Sequence, residues 1–276
     1  MKRIALLLLP LLLLAACNQN APVPADAGPA ATAATEAAPA ASAPADTAAP
    51  AAAEATGDAA PAADPAASAA VDSIAQAAAN GPALVAGSDY EVIPGGQPYQ
   101  PLNGKIEVVE VFGYVCPACA RFQPLVSAWE RKLPADVRFS YVPAPFGPQW
   151  IPYAQAYYVA ESMGLVGRTH DAVFHAIHLA QTLPGEGKTP DEAAVAAFYG
   201  NYGADPKQFL AAMHSFATAA KIKRGQQFMQ RSGVAGTPTV VVNGKYRVLG
   251  KSYEDMLRIT NQLIAQERAA RPGATP

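Results

Sequence analysis

Two cysteines separated by two residues constrain most strongly how this chain can fold and react. Cys116-Pro117-Ala118-Cys119 follows a mostly apolar run at residues 108–112 and precedes a stretch with helical spacing. The start of a helix offers unpaired N–H groups and the positive end of the helix dipole, and both stabilise a thiolate. Pro117 suits the first turn, where its missing N–H is not needed. The pattern therefore predicts dithiol–disulfide redox chemistry at a helix start.

The chain has only three cysteines, and this count separates the possible roles of the pair. A structural zinc site usually takes four Cys or His ligands, often from two Cys-x-x-Cys pairs, and the sequence has no second pair. A zinc site completed by histidines is the alternative. A purely structural disulfide is disfavoured, because so short a loop constrains the unfolded chain little.

Three histidines lie close together in the sequence. His175 and His178 are three residues apart on a predicted helix, with His170 nearby. No carboxylate or cysteine clusters with them convincingly, and such pairs arise readily on one helix face. We therefore expect structural histidines and no bound metal.

The N-terminus has the features of an export signal. Lys2 and Arg3 form a positive region, and residues 4–14 form an apolar region too short to span a bilayer comfortably. This region ends in Leu-Ala-Ala-Cys17, which resembles the bacterial lipoprotein signal. The resemblance implies that residues 1–16 are removed and that Cys17 is lipidated. An ordinary secretory signal with an incidental cysteine is the alternative.

A long stretch after the signal consists almost entirely of Ala, Pro, Thr, Ser and acidic residues, with no Lys or Arg between Arg3 and Lys105. Such a composition cannot build a core, so we predict that residues 17–87 form a lipidated, disordered tether. From Lys105 onward, 18 Lys and Arg face 13 Asp and Glu, and no basic run is interleaved with aromatic residues. This pattern argues against nucleic-acid binding.

The folded part is expected to begin at residue 88. β-Branched and alternating residues predict strands at 105–112, 137–142 and 237–242, and the Asn243-Gly244 turn predicts a hairpin to 246–249. Gly and Pro breaks divide the segments with helical spacing. These predicted helices are 116–133, 152–163, 168–183, 189–202, 206–232 and 253–267.

This order of elements resembles the thioredoxin fold with a helical insertion, the architecture of DsbA-like thiol:disulfide oxidoreductases. The resemblance covers about residues 104–266. It is carried by residues 110–112 before the cysteines, residues 129–134 at the end of the first helix, Gly236-Thr237-Pro238, and residues 242–246.

The resemblance implies an α/β, thioredoxin-like fold with an inserted all-helical subdomain, preceded by the disordered tether. The thioredoxin-like domain would consist of residues 88–149 and 233–268, and the insertion of residues 150–232. A disordered tail would follow at residues 269–276.

The resemblance also implies roles for the matched residues. Cys116 would be the exposed nucleophile and Cys119 its buried partner. Pro238 would be a cis-proline that exposes the Thr237 backbone to an extended substrate; an ordinary trans proline is the alternative. Glu110 would lie beneath the disulfide, with a pKa raised by burial, and exchange a proton with Cys119. A solvent-facing Glu110 is the alternative.

The two residues between the cysteines are also expected to contact substrate. Pro117 matches the family, whereas Ala118 departs from its frequent Cys-Pro-His-Cys pattern. Alanine cannot supply the imidazole that helps to stabilise the thiolate. We therefore expect a less oxidising disulfide than in relatives that carry the histidine.

Together these features predict a periplasmic, monomeric oxidase that introduces disulfide bonds into unfolded exported proteins with free thiols. The Cys116–Cys119 disulfide would carry the electrons without a metal or organic cofactor. The resemblance implies reoxidation by a DsbB-like, quinone-linked membrane oxidase. Asn18 follows the lipidated cysteine, and by resemblance to enterobacterial sorting it favours an anchor in the outer membrane.

Two other functions are alternatives. One is a disulfide isomerase or reductase on the same fold. Isomerases of this kind usually have a dimerisation domain, and the region before Tyr90 is too poor in apolar residues to form one. The other is a lipid-tethered chaperone or binding module whose cysteine pair is vestigial.

Overall fold

A five-stranded sheet forms the centre of the structure, a computed structural model that describes residues 64–271. The strand order is β1-β5-β4-β2-β3, with β3 parallel to β2 and β4 antiparallel to both β2 and β5. The strands are β1 (Tyr90–Val92), β2 (Ile106–Phe112), β3 (Val137–Pro143), β4 (Thr239–Val242) and β5 (Tyr246–Val248).

Strand β2 is buried along its whole length because it lies between β3 and β4. Its β-branched residues suit this position, which is covered on both faces. Val108 and Phe112 face one core cluster, and Val109 and Val111 face the other. The two glutamates of β2 are buried as well, and both are described below.

Eight helices are present in the described part of the chain. They are α1 (Pro65–Asn80), α2 (Pro117–Glu130), α3 (Ile151–Ser162), α4 (Val166–His178), α5 (Glu192–Gly200), α6 (Pro206–Met213), α7 (Phe216–Arg231) and α8 (Tyr253–Ala269). Helices α3 to α7 lie consecutively between β3 and β4, and α3 contacts each of the other four. This confirms the predicted thioredoxin-like fold with a helical insertion. No helix within residues 64–271 combines the length and apolar character needed to cross a membrane.

Two details of the predicted elements differ from the structure. The predicted helix at 206–232 is two helices, because Ser215 begins a new one: its hydroxyl accepts the Thr218 N–H at 3.2 Å and caps α7. Strand β1 was not predicted. It has only three residues, and its pairing with β5 places it in the sheet.

The predicted disordered tether is wrong at residues 65–80, which form α1. Ala67, Val71 and Ile74 recur on one face of this helix and are buried, and α1 packs against α2 and α8. Composition did not reveal the helix, because most of its residues are small and its stability comes from tertiary packing of one narrow face. The signal, Cys17, most of the predicted tether and residues 272–276 lie outside the described residues.

Candidate active site

The cysteine pair lies at the start of α2, where the sequence predicted it. Cys116 is the N-cap residue, and Pro117 occupies the first helical position. The Cys119 N–H donates to the Cys116 sulfur across 3.4 Å, so the thiol takes the role that a hydroxyl or carboxylate usually plays at a helix start. Both cysteines are free thiols in the structure.

The two thiols differ in exposure. Cys119 is fully buried, whereas Cys116 keeps 8% of its surface accessible. Cys116 is thus less exposed than the sequence predicted. One reason is the neighbouring loop before β4, where the Thr237 carbonyl oxygen lies 3.5 Å from the Cys116 Sγ and accepts a hydrogen bond from it.

The pKa values of the two thiols shift in opposite directions. A hydrogen bond from the Cys119 thiol is the largest cause that lowers the pKa of Cys116, from 9.0 to about 5, against the opposing effect of burial. Thr237 and the N–H groups of Cys119 and Ala118 lower it further. Burial is the main cause that raises the pKa of Cys119 far above its usual range. In the reduced protein Cys116 is therefore the thiolate and Cys119 holds the proton.

The loop before β4 brings a second part of the sequence to the cysteines. The Thr237–Pro238 peptide bond is cis, the isomer implied by the family resemblance. Thr239 pairs with Val111 on β2, and this pairing holds the loop beside the helix that starts at Cys116. Thr237 and Pro238 are half-buried, so part of each is accessible next to the redox sulfur.

Glu110 lies on β2, the strand that leads to the cysteines. It is only 1% exposed, and neither of its carboxylate oxygens has a hydrogen-bond partner within the described part of the chain. Burial is the largest cause that raises its pKa well above the usual range, and the charges of Glu130 and Cys116 add to this effect. The solvent-facing alternative is therefore wrong. Glu110 also contributes to the raised pKa of Cys119.

A second glutamate on the same strand shows what a purely structural buried carboxylate looks like here. Glu107 accepts the N–H groups of Tyr99 at 2.7 Å and Gln100 at 2.9 Å, and pairs with Arg138 at 2.7 Å. Each of its oxygens is satisfied, as expected for a buried charge. The lack of such partners at Glu110 fits a group that exchanges protons rather than one that holds the fold together.

Sequence reasoning missed a polar cluster at the far end of α2. The Tyr141 hydroxyl donates to Glu130 Oε2 at 3.2 Å and accepts from Gln123 Nε2 at 3.2 Å. Gln123 also donates to Asp171 of α4 at 2.9 Å. The alternation of β3 predicted the strand that carries Tyr141, but only the packing of α2 on β3 brings these groups together.

The three histidines do not converge on a common point. His170 is buried, its Nδ1 lies 2.8 Å from the Tyr114 hydroxyl, and burial lowers its pKa to about 3. His178 Nε2 lies 2.7 Å from the Tyr114 carbonyl oxygen instead. No group of three or more His, Cys, Asp or Glu side chains within residues 64–271 is arranged to hold a metal ion. That the protein needs no metal stays a prediction.

Fold and site together define a class of protein. The chain carries a thioredoxin-like sheet with a helical insertion, a Cys-x-x-Cys pair at a helix start, and a cis-proline loop against the first cysteine. This is a dithiol–disulfide redox domain.

Comparison with known proteins identifies the family. The family model described as DSBA-like thioredoxin domain matches residues 107–260. The chain belongs to the DsbA family of thiol:disulfide oxidoreductases.

Individual relatives agree with this assignment. The thiol:disulfide interchange protein DsbA of Pseudomonas aeruginosa is 40% identical over 200 residues, which cover 70% of this chain and 90% of the relative. The protein of the same name from Burkholderia cepacia is 33% identical over 188 residues, which cover 68% and 86%. The crystal structure of the oxidoreductase DsbA from Xylella fastidiosa superposes with a TM-score of 0.65 at 43% identity, covering 68% of this chain and 99% of that one.

Proposed function

We propose that this protein introduces disulfide bonds into exported proteins by dithiol–disulfide exchange through Cys116 and Cys119. The observation that carries the proposal is the division of labour between the two sulfurs. Cys116 has a pKa of about 5 and keeps some accessible surface, whereas Cys119 is fully buried with a raised pKa. A stabilised thiolate favours the reduced enzyme, and this makes its disulfide oxidising.

The exchange starts from the enzyme disulfide. A substrate thiolate attacks the Cys116 sulfur, the Cys116–Cys119 bond breaks, and its electron pair passes to Cys119, which takes a proton from Glu110. The second thiolate of the substrate then attacks the substrate sulfur of the mixed disulfide, and Cys116 leaves as a thiolate. The substrate dithiol is oxidised by two electrons, and the enzyme disulfide is reduced by the same two.

The surface around Cys116 supports binding of an extended segment. Pro117 is exposed and Ala118 is half-buried on the helix side, with Thr237 and Pro238 on the loop side. The Thr237 backbone lies against the cysteine, where it can pair with a substrate strand by β-augmentation. We assign these four residues to substrate contact.

Trapping of mixed disulfides tests the reaction. A Cys119→Ala variant cannot reform the enzyme disulfide, so it should accumulate covalent complexes with exported proteins through Cys116. The matched Cys116→Ala variant should trap few. Equal trapping by both variants, or by neither, would contradict the proposed roles.

We further propose that the protein acts in the periplasm as a monomer anchored through lipidated Cys17, with Asn18 favouring the outer membrane. The export signal and the lipoprotein-like motif at the N-terminus support this location. A Cys17→Ser substitution should release the protein into the soluble periplasmic fraction. A variant that stays in the membrane fraction, with no diacylglyceryl group on the wild-type protein by mass spectrometry, would overturn the anchor.

Reoxidation completes the cycle. We propose that the electrons pass from the cysteines to a DsbB-like, quinone-linked membrane oxidase, with no metal or organic cofactor on this chain. Family membership supports this partner. Membranes that contain such an oxidase should reoxidise the reduced protein, and membranes from a strain without it should not. Reoxidation at equal rates by both would contradict the assignment.

A further inference from the structure

We propose that Glu130 is a positioning residue for the proton-transfer step: from the wall of a polar cavity, it governs how Glu110 exchanges its proton with water through Tyr141. This inference rests on the proposed proton transfer between Glu110 and Cys119. It assigns a function to the polar cluster that the exchange chemistry leaves unused.

The starting point is that Glu110 is enclosed. In each catalytic cycle it gives one proton to Cys119 on reduction and takes one back on reoxidation. Yet its side chain is 1% exposed and lacks a hydrogen-bond partner among the described residues. A carboxyl group in such a position needs a neighbouring polar route to water.

Tyr141 provides the first part of that route. It lies directly opposite Glu110 in the parallel register of β2 and β3. Paired residues on neighbouring strands lie about 4.8 Å apart and present their side chains on the same face. The Tyr141 ring is buried, and its hydroxyl reaches Glu130 Oε2 at 3.2 Å.

The second part of the route is a cavity of about 670 Å³ on the outer side of Tyr141. This volume and its polar walls suit several water molecules. Glu130 is the carboxylate on its wall that Tyr141 contacts. The walls are formed in part by Gln123, Glu130, Arg138, Tyr141, Glu161 and Asp171.

The charges around the two carboxyl groups are asymmetric. Glu110 faces only potential anions: Cys116, Cys119 and Glu130. Glu130 is also partly buried, which is the main cause that raises its pKa. The hydrogen bond from Tyr141 and the charge of Arg131 act in the opposite direction, and Asp171 adds to the increase.

Two coupled carboxyl groups titrate as a pair. A negative Glu130 favours the protonated form of Glu110, and this is the form required to supply Cys119. After that transfer Glu110 is a carboxylate, and a proton from cavity water, passed along Tyr141 and Glu130, restores it. No electrons move in this step, and the proton balance closes with water.

The test is the pH profile of the reduction of the enzyme disulfide by a small dithiol, followed by stopped-flow tryptophan fluorescence. Glu130→Gln removes the charge that favours protonated Glu110. The limb of the profile that belongs to Glu110 should therefore move to lower pH, with a rate about tenfold lower on its alkaline side, below the range for direct acid–base catalysis. Tyr141→Phe should move the limb in the same direction by less, and Glu130→Asp should restore part of the loss.

Glu161→Gln is the matched control, because Glu161 lines the same cavity but pairs with Lys221 at 2.8 Å. It should leave the limb in place. The thiolate titration of Cys116 should be unchanged in every variant, which separates the effect from a general disturbance of the site. An unshifted limb in Glu130→Gln would overturn this inference if Glu110→Gln abolishes the limb. A limb that survives Glu110→Gln would instead overturn the proton-transfer role of Glu110 itself.

Discussion

Two glutamates on one strand, three residues apart, have opposite surroundings. Glu107 is saturated by hydrogen bonds and an arginine, whereas Glu110 has no such partner among the described residues and lies near potential anions. A carboxyl group whose pKa is raised on folding lowers stability as the pH rises from its ordinary pKa through the raised one. Glu110 therefore costs the protein stability at neutral pH, and Glu107 contributes to it.

This contrast gives a stability prediction. Glu110→Gln should raise the free energy of unfolding of the reduced protein at pH 7 by about 1–3 kcal/mol, the usual cost of an unsatisfied buried polar group. The gain should shrink as the pH falls toward 4.5, the ordinary pKa of a glutamate. Glu107→Gln is the matched control and should destabilise. Urea denaturation checks both, and the same sign in both variants would contradict the account.

Ala118 sets the redox balance at the residue scale. Its side chain gives no charge to the Cys116 thiolate, which depends on Cys119, Thr237 and backbone N–H groups instead. Ala118→His should lower the pKa of Cys116 and raise the reduction potential, with about 30 mV for every 1.4 kcal/mol.

Equilibration of this variant with glutathione measures the change. Ala120→His, which adds the same side chain just outside the pair, should change the potential less. If Ala118→His leaves both the pKa of Cys116 and the potential unaltered, this explanation of the tuning fails.

At the scale of elements, α1 extends the folded domain beyond its predicted start. Its buried face packs on α2, the helix that carries the cysteines, and on α8. The ion pair between Lys132 and Asp72 at 2.6 Å also joins α1 to α2, but both side chains are exposed, so it adds little.

Truncation of the α1 face measures its contribution. Ile74 is 4% exposed, and Ile74→Ala should lower the free energy of unfolding by about 2–4 kcal/mol through lost burial and a cavity. Val85→Ala, at a side chain that is 59% exposed, should have almost no effect. Equal effects of the two substitutions in thermal unfolding would show that α1 does not contribute to the folded domain.

The predictability of these elements follows from where their signals lie. Strands β2, β3 and β4 and the cysteine helix have strong local patterns, and the structure contains them within a few residues of the predicted bounds. Helix α1 and strand β1 have weak patterns and are held by tertiary contacts. The same holds for the site: the motifs identified Cys116, Cys119, Glu110, Thr237 and Pro238. No local pattern could place Glu130 beside Tyr141.

At the scale of the whole molecule, the thiolate links redox state to stability. The pKa of Cys116 falls from an ordinary 9.0 to about 5 on folding, so the reduced form gains stability that is complete above pH 9 and is lost as the pH falls to 5. The oxidised form has no such thiolate. Glu110 titrates in both forms, and its contribution largely cancels in the difference.

The difference in unfolding free energy between reduced and oxidised protein should therefore change with pH. Relative to the oxidised form, the reduced form should lose up to about 1.4 kcal/mol per pH unit between pH 9 and pH 5. Denaturation of both forms over this range measures the slope. Reduced Cys116→Ala should lack it, and a flat difference in the wild-type protein would contradict the linkage.

The central claim is that Cys116 is a stabilised thiolate held by a buried, protonated Cys119. The most direct measurement is a titration of the thiolate absorbance of the reduced protein, with Cys116→Ala to assign the transition. We predict a midpoint of about 5 that disappears in Cys116→Ala. A midpoint near 9.0, the ordinary value of a cysteine thiol, would contradict the account.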